Sequence, residues 1–127
     1  MVKLVFFFRR KPGMTPEEFR RHYETKHVPL AIRLLPYFKD YRRNYIRHDE
    51  SYRPRGREAT KQPDFDVVTE ITFENRESFD RMMQALTEPT IHSQIIADEE
   101  HFMDRSAHQM FFVDEEVTPL PEHKEFV

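Results

Sequence analysis

A histidine near the end of the first predicted helix is the residue of this sequence best suited to proton transfer. Phe19, Tyr23 and His27 follow one another at spacings of four, so an aromatic stripe leads to an imidazole. An imidazole titrates near neutral pH and can act as a general acid or base. We therefore predict a catalytic role for His27. The alternative is structural, since a histidine at a helix C-terminus also interacts favourably with the helix dipole.

A carboxylate on a second predicted helix, residues 90–104, is the candidate partner. Ile91, Ile95, Asp98 and Phe102 fall within a narrow wedge at about 100° per residue. A carboxylate at the centre of an apolar face costs free energy unless it is paired or protonated. We predict that Asp98 is catalytic and orients His27. A structural bond to an arginine or to the backbone is the alternative.

The predicted strand 38–48 carries polar side chains that could contact a substrate. Tyr41, Arg43 and Tyr45 share one face of this strand. A phenol can donate a hydrogen bond to a developing enolate oxygen, and a guanidinium can hold a carboxylate with two hydrogen bonds. We predict Tyr45 as a catalytic donor and Arg43 and Tyr41 as substrate-binding residues. A strand this polar either lies at a sheet edge or lines a cavity, and Tyr45 could also be an ordinary strand aromatic.

Further substrate contacts are predicted on the other elements. Asp66, on the predicted strand 66–73, either binds substrate or pairs with an arginine of the neighbouring strand. Tyr23 is expected beside His27. The apolar walls are predicted to come from Phe6, Phe8, Phe19, Met83 and Phe102.

The first helix has a well-defined start. Thr15 is a good N-cap, Pro16 suits the first helical position, and Glu18 can close a capping box. Pro29 disfavours helical geometry at the preceding residue, so we predict that the helix ends there. His27 lies about 60° from the centre of the helix's apolar face, which predicts a position at the rim of a cavity.

Several kinds of chemistry are excluded by residue types and spacing. The sequence of 127 residues has no Cys, which excludes disulfides and thiolate chemistry, and its two glycines form no phosphate-binding loop. His22 and His27 are five apart, a spacing that does not place two ligands on one α-helical face, so no metal site is predicted. A net charge of −3 gives no case for nucleic-acid binding, and no apolar run suits a membrane span. We expect a soluble, cytoplasmic protein.

The order of predicted elements indicates a fold class. Strands at 2–9, 38–48, 66–73 and 107–115 alternate with helices in the order β-α-β-β-α-α-β, typical of a ferredoxin-like α+β sandwich with a four-stranded antiparallel sheet. The domain is predicted at 1–116 and a C-terminal tail at 117–127. The loop 49–63 could be a lid or a simple mobile connection. The first and last strands are apolar on both faces, which predicts a homodimer with its sheets face to face.

Several separated motifs resemble the EthD family of the dimeric α/β-barrel superfamily. They are the runs at 9–19 (RRKPGMTPEEF), 27–30 (HVPL), 64–66 (DFD) and 98–104 (DEEHFMD), with Tyr23 between the first two. The segments 66–70 and 98–105 most resemble the small decarboxylases and dehydratases of aromatic polyketide pathways. The resemblance implies a homodimer that works without metal or organic cofactor, in a cavity between helices and sheet.

Residues and resemblance together predict a cofactor-free lyase that decarboxylates or dehydrates a small aromatic or polyketide acid. A cofactor-independent cyclase, isomerase or monooxygenase on a similar substrate is the alternative within enzymes. Outside enzymes, the alternative is a dimeric module that binds a small aromatic ligand or haem, with His27 as a possible iron ligand.

Overall fold

The structure is a computed structural model that describes residues 1–50 and 62–122. In this part of the chain, four strands and four α-helices follow one another in the order β1, α1, α2, β2, β3, α3, α4, β4. Part of the 49–63 loop and the end of the tail lie outside the described residues. The prediction that this loop could be a lid therefore also falls outside them. The bounds of the elements are β1 Val2–Phe8, α1 Pro16–His22, α2 Val28–Leu34, β2 Asp40–Tyr45, β3 Val67–Phe73, α3 Arg76–Ala85, α4 Pro89–Phe102 and β4 Gln109–Val113.

The strands form one antiparallel sheet in the order β2-β3-β1-β4. The helices pack on one face of this sheet, so the predicted ferredoxin-like α+β fold is confirmed. β2 is an edge strand and is shorter than the predicted 38–48. Beyond it, the Ile46 N–H still donates a hydrogen bond to the Asp66 carbonyl at 2.9 Å. Within residues 1–50 and 62–122, no helix is long and apolar enough to cross a membrane.

Side-chain alternation places the core between sheet and helices. Leu4 and Phe8 of β1 are buried, as are Val67, Ile71 and Phe73 of β3. These strands direct every second side chain toward the helices. The apolar residues of both alternation sets on β1 therefore belong to two different surfaces of the sheet.

The capping box predicted at the start of α1 is present. The Thr15 hydroxyl accepts a hydrogen bond from the Glu18 N–H at 3.1 Å, and the Glu18 carboxylate accepts one from the Thr15 N–H at 3.4 Å. Two of the unpaired N–H groups at the helix start are thereby satisfied.

The predicted helix end before Pro29 is wrong. Instead, the helix passes through a π-helical turn, Tyr23–His27, and continues directly into α2. In this turn the Val28 N–H donates to the Tyr23 carbonyl, five residues back. Proline in a regular helix clashes with the carbonyl four residues earlier and lacks an N–H. The wider π turn changes that register, and Pro29 then occupies the tolerated first turn of α2.

Candidate active site

A largely apolar cavity of about 330 Å³ lies between the helices and the sheet. Its volume is in the range of small-molecule sites. Side chains from all four strands and from α2, α3, α4 and the π turn contribute to its wall, among them Phe6, Phe8, Tyr23, His27, Tyr41, Thr69, Met83, Glu99, Arg105 and His108. A larger groove of about 690 Å³ runs along residues 9–14 but contains neither His27 nor Asp98.

Two histidines converge on the carboxylate of Asp98. His27 Nδ1 lies 2.8 Å from Asp98 Oδ2, and His22 Nε2 lies 2.9 Å from Asp98 Oδ1. An ionised carboxylate only accepts hydrogen bonds, so each imidazole donates an N–H to it. The structure thus brings together the two residues predicted as a catalytic pair and adds His22 as a third member.

The π turn explains why two histidines five residues apart reach one carboxylate. On a regular α-helix, side chains five residues apart point in different directions. In the turn from Tyr23 to His27, the backbone hydrogen bonds instead join residues that are five apart. His22 and His27 therefore come onto the same side of the helix. The sequence-based expectation that this spacing keeps them apart is wrong, because it assumed an unbroken α-helix.

His27 is buried rather than placed at a cavity rim. It is 7% exposed, and its ring packs against those of Tyr23 at 5.4 Å and Phe102 at 5.3 Å. The π turn rotates it inward, which a regular helix would not. Burial lowers the pKa of His27, and the hydrogen bond and charge of Asp98 oppose that shift.

The bond to Asp98 also selects a tautomer of His27. With Nδ1–H held by the carboxylate, the neutral ring carries its lone pair on Nε2. Within residues 1–50 and 62–122, Asp98 is the hydrogen-bond partner of this ring. Nε2 is then the nitrogen able to take a proton from a ligand in the cavity.

A chain of hydroxyl groups forms one polar part of the cavity wall. Tyr41 donates a hydrogen bond to the Tyr23 oxygen at 3.2 Å, and the Tyr23 and Thr69 hydroxyl oxygens are 2.8 Å apart. Burial raises the pKa of Tyr23 to about 12 and raises the pKa of Tyr41 well above its usual value. Both phenols are therefore neutral hydrogen-bond donors at neutral pH.

Arg43 and Tyr45 do not line the cavity, contrary to the sequence-based expectation. Arg43 holds Glu24 with two hydrogen bonds, at 2.9 Å and 2.7 Å, and Tyr45 donates to the same carboxylate at 2.5 Å. Arg43 lowers the pKa of Glu24. Glu24, a residue that sequence analysis did not single out, thus engages both groups outside the cavity.

The other predicted contacts divide between the cavity and the surrounding core. Phe6, Phe8, Tyr23, Tyr41 and Met83, which were all predicted as site residues, line the cavity. Asp66 instead accepts hydrogen bonds from the Arg10 backbone N–H at 2.8 Å, from the Arg10 side chain, and from His48 at 3.0 Å. Asp66 does not line the cavity that contains His27, so its predicted substrate contact is not supported.

Phe19 and Phe102 are core residues behind the cavity rather than parts of its wall. They are 1% and 0% exposed, and their ring centroids are 5.4 Å apart. The Phe102 ring stacks on the His22 ring, with the two centroids 4.5 Å apart, and so holds that imidazole in position. Helical spacing identifies the buried face of a helix, but it does not distinguish core residues from residues that line a cavity.

Five polar residues of the cavity wall were not among the predicted site residues: Thr69, His92, Glu99, Arg105 and His108. Glu99 follows Ile95 by four residues, a helical spacing that could have indicated a shared face. Arg105 and His108 lie between α4 and β4, where no periodic pattern identifies them. Within the described part of the chain, His108 Nε2 is buried without a hydrogen-bond partner.

Fold, cavity and motifs agree with one protein family. The EthD domain profile matches residues 11–106, and the chain belongs to the EthD family. Among curated proteins it is similar to Decarboxylase claH of Passalora fulva, with 30% identity over 107 residues that cover 80% of this chain and 67% of claH.

Solved structures show the same fold at lower sequence identity. An EthD family protein of Bacillus halodurans is 20% identical, with a TM-score of 0.58, and the match covers 91% of this chain and all of that one. HapK of Hahella chejuensis is 10% identical, with a TM-score of 0.60, over 97% of this chain and all of that one. Identities this low establish the shared fold alone.

Proposed function

We propose that this protein is a cofactor-free lyase that decarboxylates an aromatic or polyketide-type acid carrying a hydroxyl group beside the carboxylate. The observation that carries the proposal is the hydrogen-bonded set of His22, Asp98 and His27, of which His27 lines an apolar cavity. Such a set orients an imidazole for proton transfer. The similarity to a decarboxylase of Passalora fulva supports the choice of reaction.

The first step of the proposed reaction moves a proton from oxygen to carbon. His27 Nε2 takes the proton of the substrate's hydroxyl group and delivers it to the ring carbon that bears the carboxylate. The substrate becomes a keto tautomer with a tetrahedral carbon. Asp98 stabilises the imidazolium that forms in between, because it holds Nδ1–H at 2.8 Å.

The second step breaks the bond between that carbon and the carboxylate. CO₂ leaves, and the electron pair of the broken bond moves to the oxygen, which becomes a phenolate. A proton from solvent completes the phenol. The sum is loss of CO₂ with uptake of one proton, and no electron is gained or lost.

The developing phenolate needs a neutral donor nearby. Tyr41 lines the cavity and its hydroxyl already donates to the Tyr23 oxygen, so a ligand oxygen can replace that acceptor. We assign this role to Tyr41 in place of Tyr45, whose hydroxyl donates to Glu24.

Tyr41→Phe should lower kcat by about 10- to 100-fold, because the phenolate loses a donor while the ring packing is kept. Tyr45→Phe is the matched control, and its kcat should stay within about twofold of the wild type. The measurement is the steady-state rate of CO₂ release by both variants. An equal loss of kcat in the two variants, or a loss in Tyr45→Phe alone, would contradict the assignment of Tyr41 as the donor.

The proposed reaction can be tested on ortho-hydroxy aromatic acids such as 1-hydroxy-2-naphthoic acid. We expect one CO₂ released per acid consumed, without O₂ uptake, and the same rate after dialysis against a chelator. O₂ consumption would favour a monooxygenase, loss of water a dehydratase, and rearrangement without CO₂ a cyclase or isomerase. A Soret band with added haemin would favour the binding module, and any of these results would contradict the proposal.

The homodimer and the cytoplasmic location stay predictions. The side of the sheet away from the helices carries Val5, Phe7 and Phe111, and Phe111 is 51% exposed. An apolar sheet face of this kind is typical of a surface covered by another chain, and we propose that a second copy covers it.

A further inference from the structure

Arg105 differs from the other polar residues of the cavity because it carries a permanent positive charge. It is the single Lys or Arg among the residues that line the cavity in the described part of the chain. Its side chain is 43% exposed, so it lies where the cavity meets solvent. The rest of the wall is mainly aromatic and aliphatic, which makes this charge the main electrostatic feature of the entrance.

The guanidinium of Arg105 is only lightly engaged. Its Nε donates to Glu99 Oε2 at 3.3 Å, a long contact, and this is its one side-chain hydrogen bond within residues 1–50 and 62–122. Arg43, by comparison, holds Glu24 with two hydrogen bonds at 2.9 Å and 2.7 Å. The two Nη groups of Arg105 are thus available for the bidentate contact that carboxylates favour.

The carboxylate of Glu99 is poorly solvated. Its side chain is 18% exposed, and burial raises its pKa above the usual value although Arg105 opposes this. Burial favours the neutral, protonated form of this carboxyl group, so Glu99 can give up its arginine by taking up a proton. Glu99 therefore pairs with Arg105 in the free protein, but the pairing is weak.

We propose that Arg105 binds the carboxylate of the substrate and that Glu99 occupies this subsite until the substrate enters. This inference rests on the proposed function, because it concerns how the acid is held in the same cavity. The carboxylate is then held at the cavity entrance while the rings occupy the apolar interior beside His27. The subsite selects acids over the corresponding neutral phenols, and CO₂ loss removes the group that it binds.

The test compares two ligands that differ by the carboxylate alone, 1-hydroxy-2-naphthoic acid and 1-naphthol. Binding is followed by stopped-flow ligand fluorescence at pH 7, before turnover consumes the acid. Wild-type protein should prefer the acid, and Arg105→Gln should weaken acid binding by about 10- to 100-fold with little change for 1-naphthol. Arg105→Lys should recover part of the loss, because it restores the charge without the bidentate geometry.

Glu99→Gln separates a ligand subsite from a structural ion pair. If Glu99 competes with the ligand, this variant should bind the acid several-fold more tightly than the wild type does. If the pair is structural, Glu99→Gln and Arg105→Gln should both weaken binding of the two ligands, and that result would overturn the proposal. Arg81→Gln removes an exposed arginine that pairs with Glu77 on α3, and should leave both affinities unchanged.

Failure of this inference is distinguishable from failure of the proposed function. Acid preference that depends on Arg105, without CO₂ release, would support the subsite and contradict the lyase. CO₂ release with a KM that Arg105→Gln does not change would support the lyase and contradict the subsite.

Discussion

His27→Ala is expected to lower the rate of CO₂ release by about 10³- to 10⁴-fold, the largest effect of any single substitution considered for this protein. The variant removes the nitrogen that takes the hydroxyl proton and delivers it to carbon. Ligand affinity should change little, because the cavity is lined mainly by apolar side chains. Single-turnover measurement of CO₂ release, together with ligand titration, separates the chemical step from binding.

His101→Ala is the matched control for this substitution. His101 is an exposed histidine of α4 that does not line the cavity. Its replacement should leave the rate within about twofold of the wild type. Full turnover by a folded His27→Ala variant would contradict the assignment of His27 as the proton-transfer residue.

Asp98→Asn should lower kcat by about 10²- to 10³-fold and also change its pH dependence. The amide can donate as well as accept, so the Nδ1–H tautomer of His27 is no longer enforced. The negative charge that raises the pKa of His27 is also lost, while the burial that lowers it remains. The pKa of His27 should fall further.

The sign of the pH effect follows from the role of His27 as a base. Its protonation stops the reaction, so wild-type kcat declines as pH falls through the pKa of His27. Asp98→Asn should move that acid limb to lower pH, although the plateau is lower. Glu100→Gln, at an exposed acid of the same helix, should change neither feature. An acid limb that moves to higher pH in Asp98→Asn would contradict the pairing.

Local signals in the sequence were sufficient to predict the order of the helices and strands. The capping box at Thr15 and the alternation of β3 depend on neighbours within a few residues, and the structure contains both. The wedge that placed Asp98 on the apolar face of α4 is equally local. These features follow from helix and strand periods, which any stretch of chain displays by itself.

The position of each side chain relative to the cavity depended on contacts between distant segments. Arg43 and Tyr45 share a strand face with Tyr41, yet the Glu24 carboxylate from the π turn binds both of them away from the ligand space. Strand alternation predicts a common face but not which partner a neighbouring helix presents. Arg105 reaches the cavity from a segment without periodicity.

The sequence alone determined that His27 and Asp98 are the acid–base candidates and that two helices of a ferredoxin-like fold carry them. Only the tertiary structure decided how they meet, because the π turn rotates His22 and His27 onto one carboxylate of α4. A change of helical register is stabilised by long-range packing, here against Phe102 and the hydrogen bonds to Asp98. No spacing within the first helix could have revealed it.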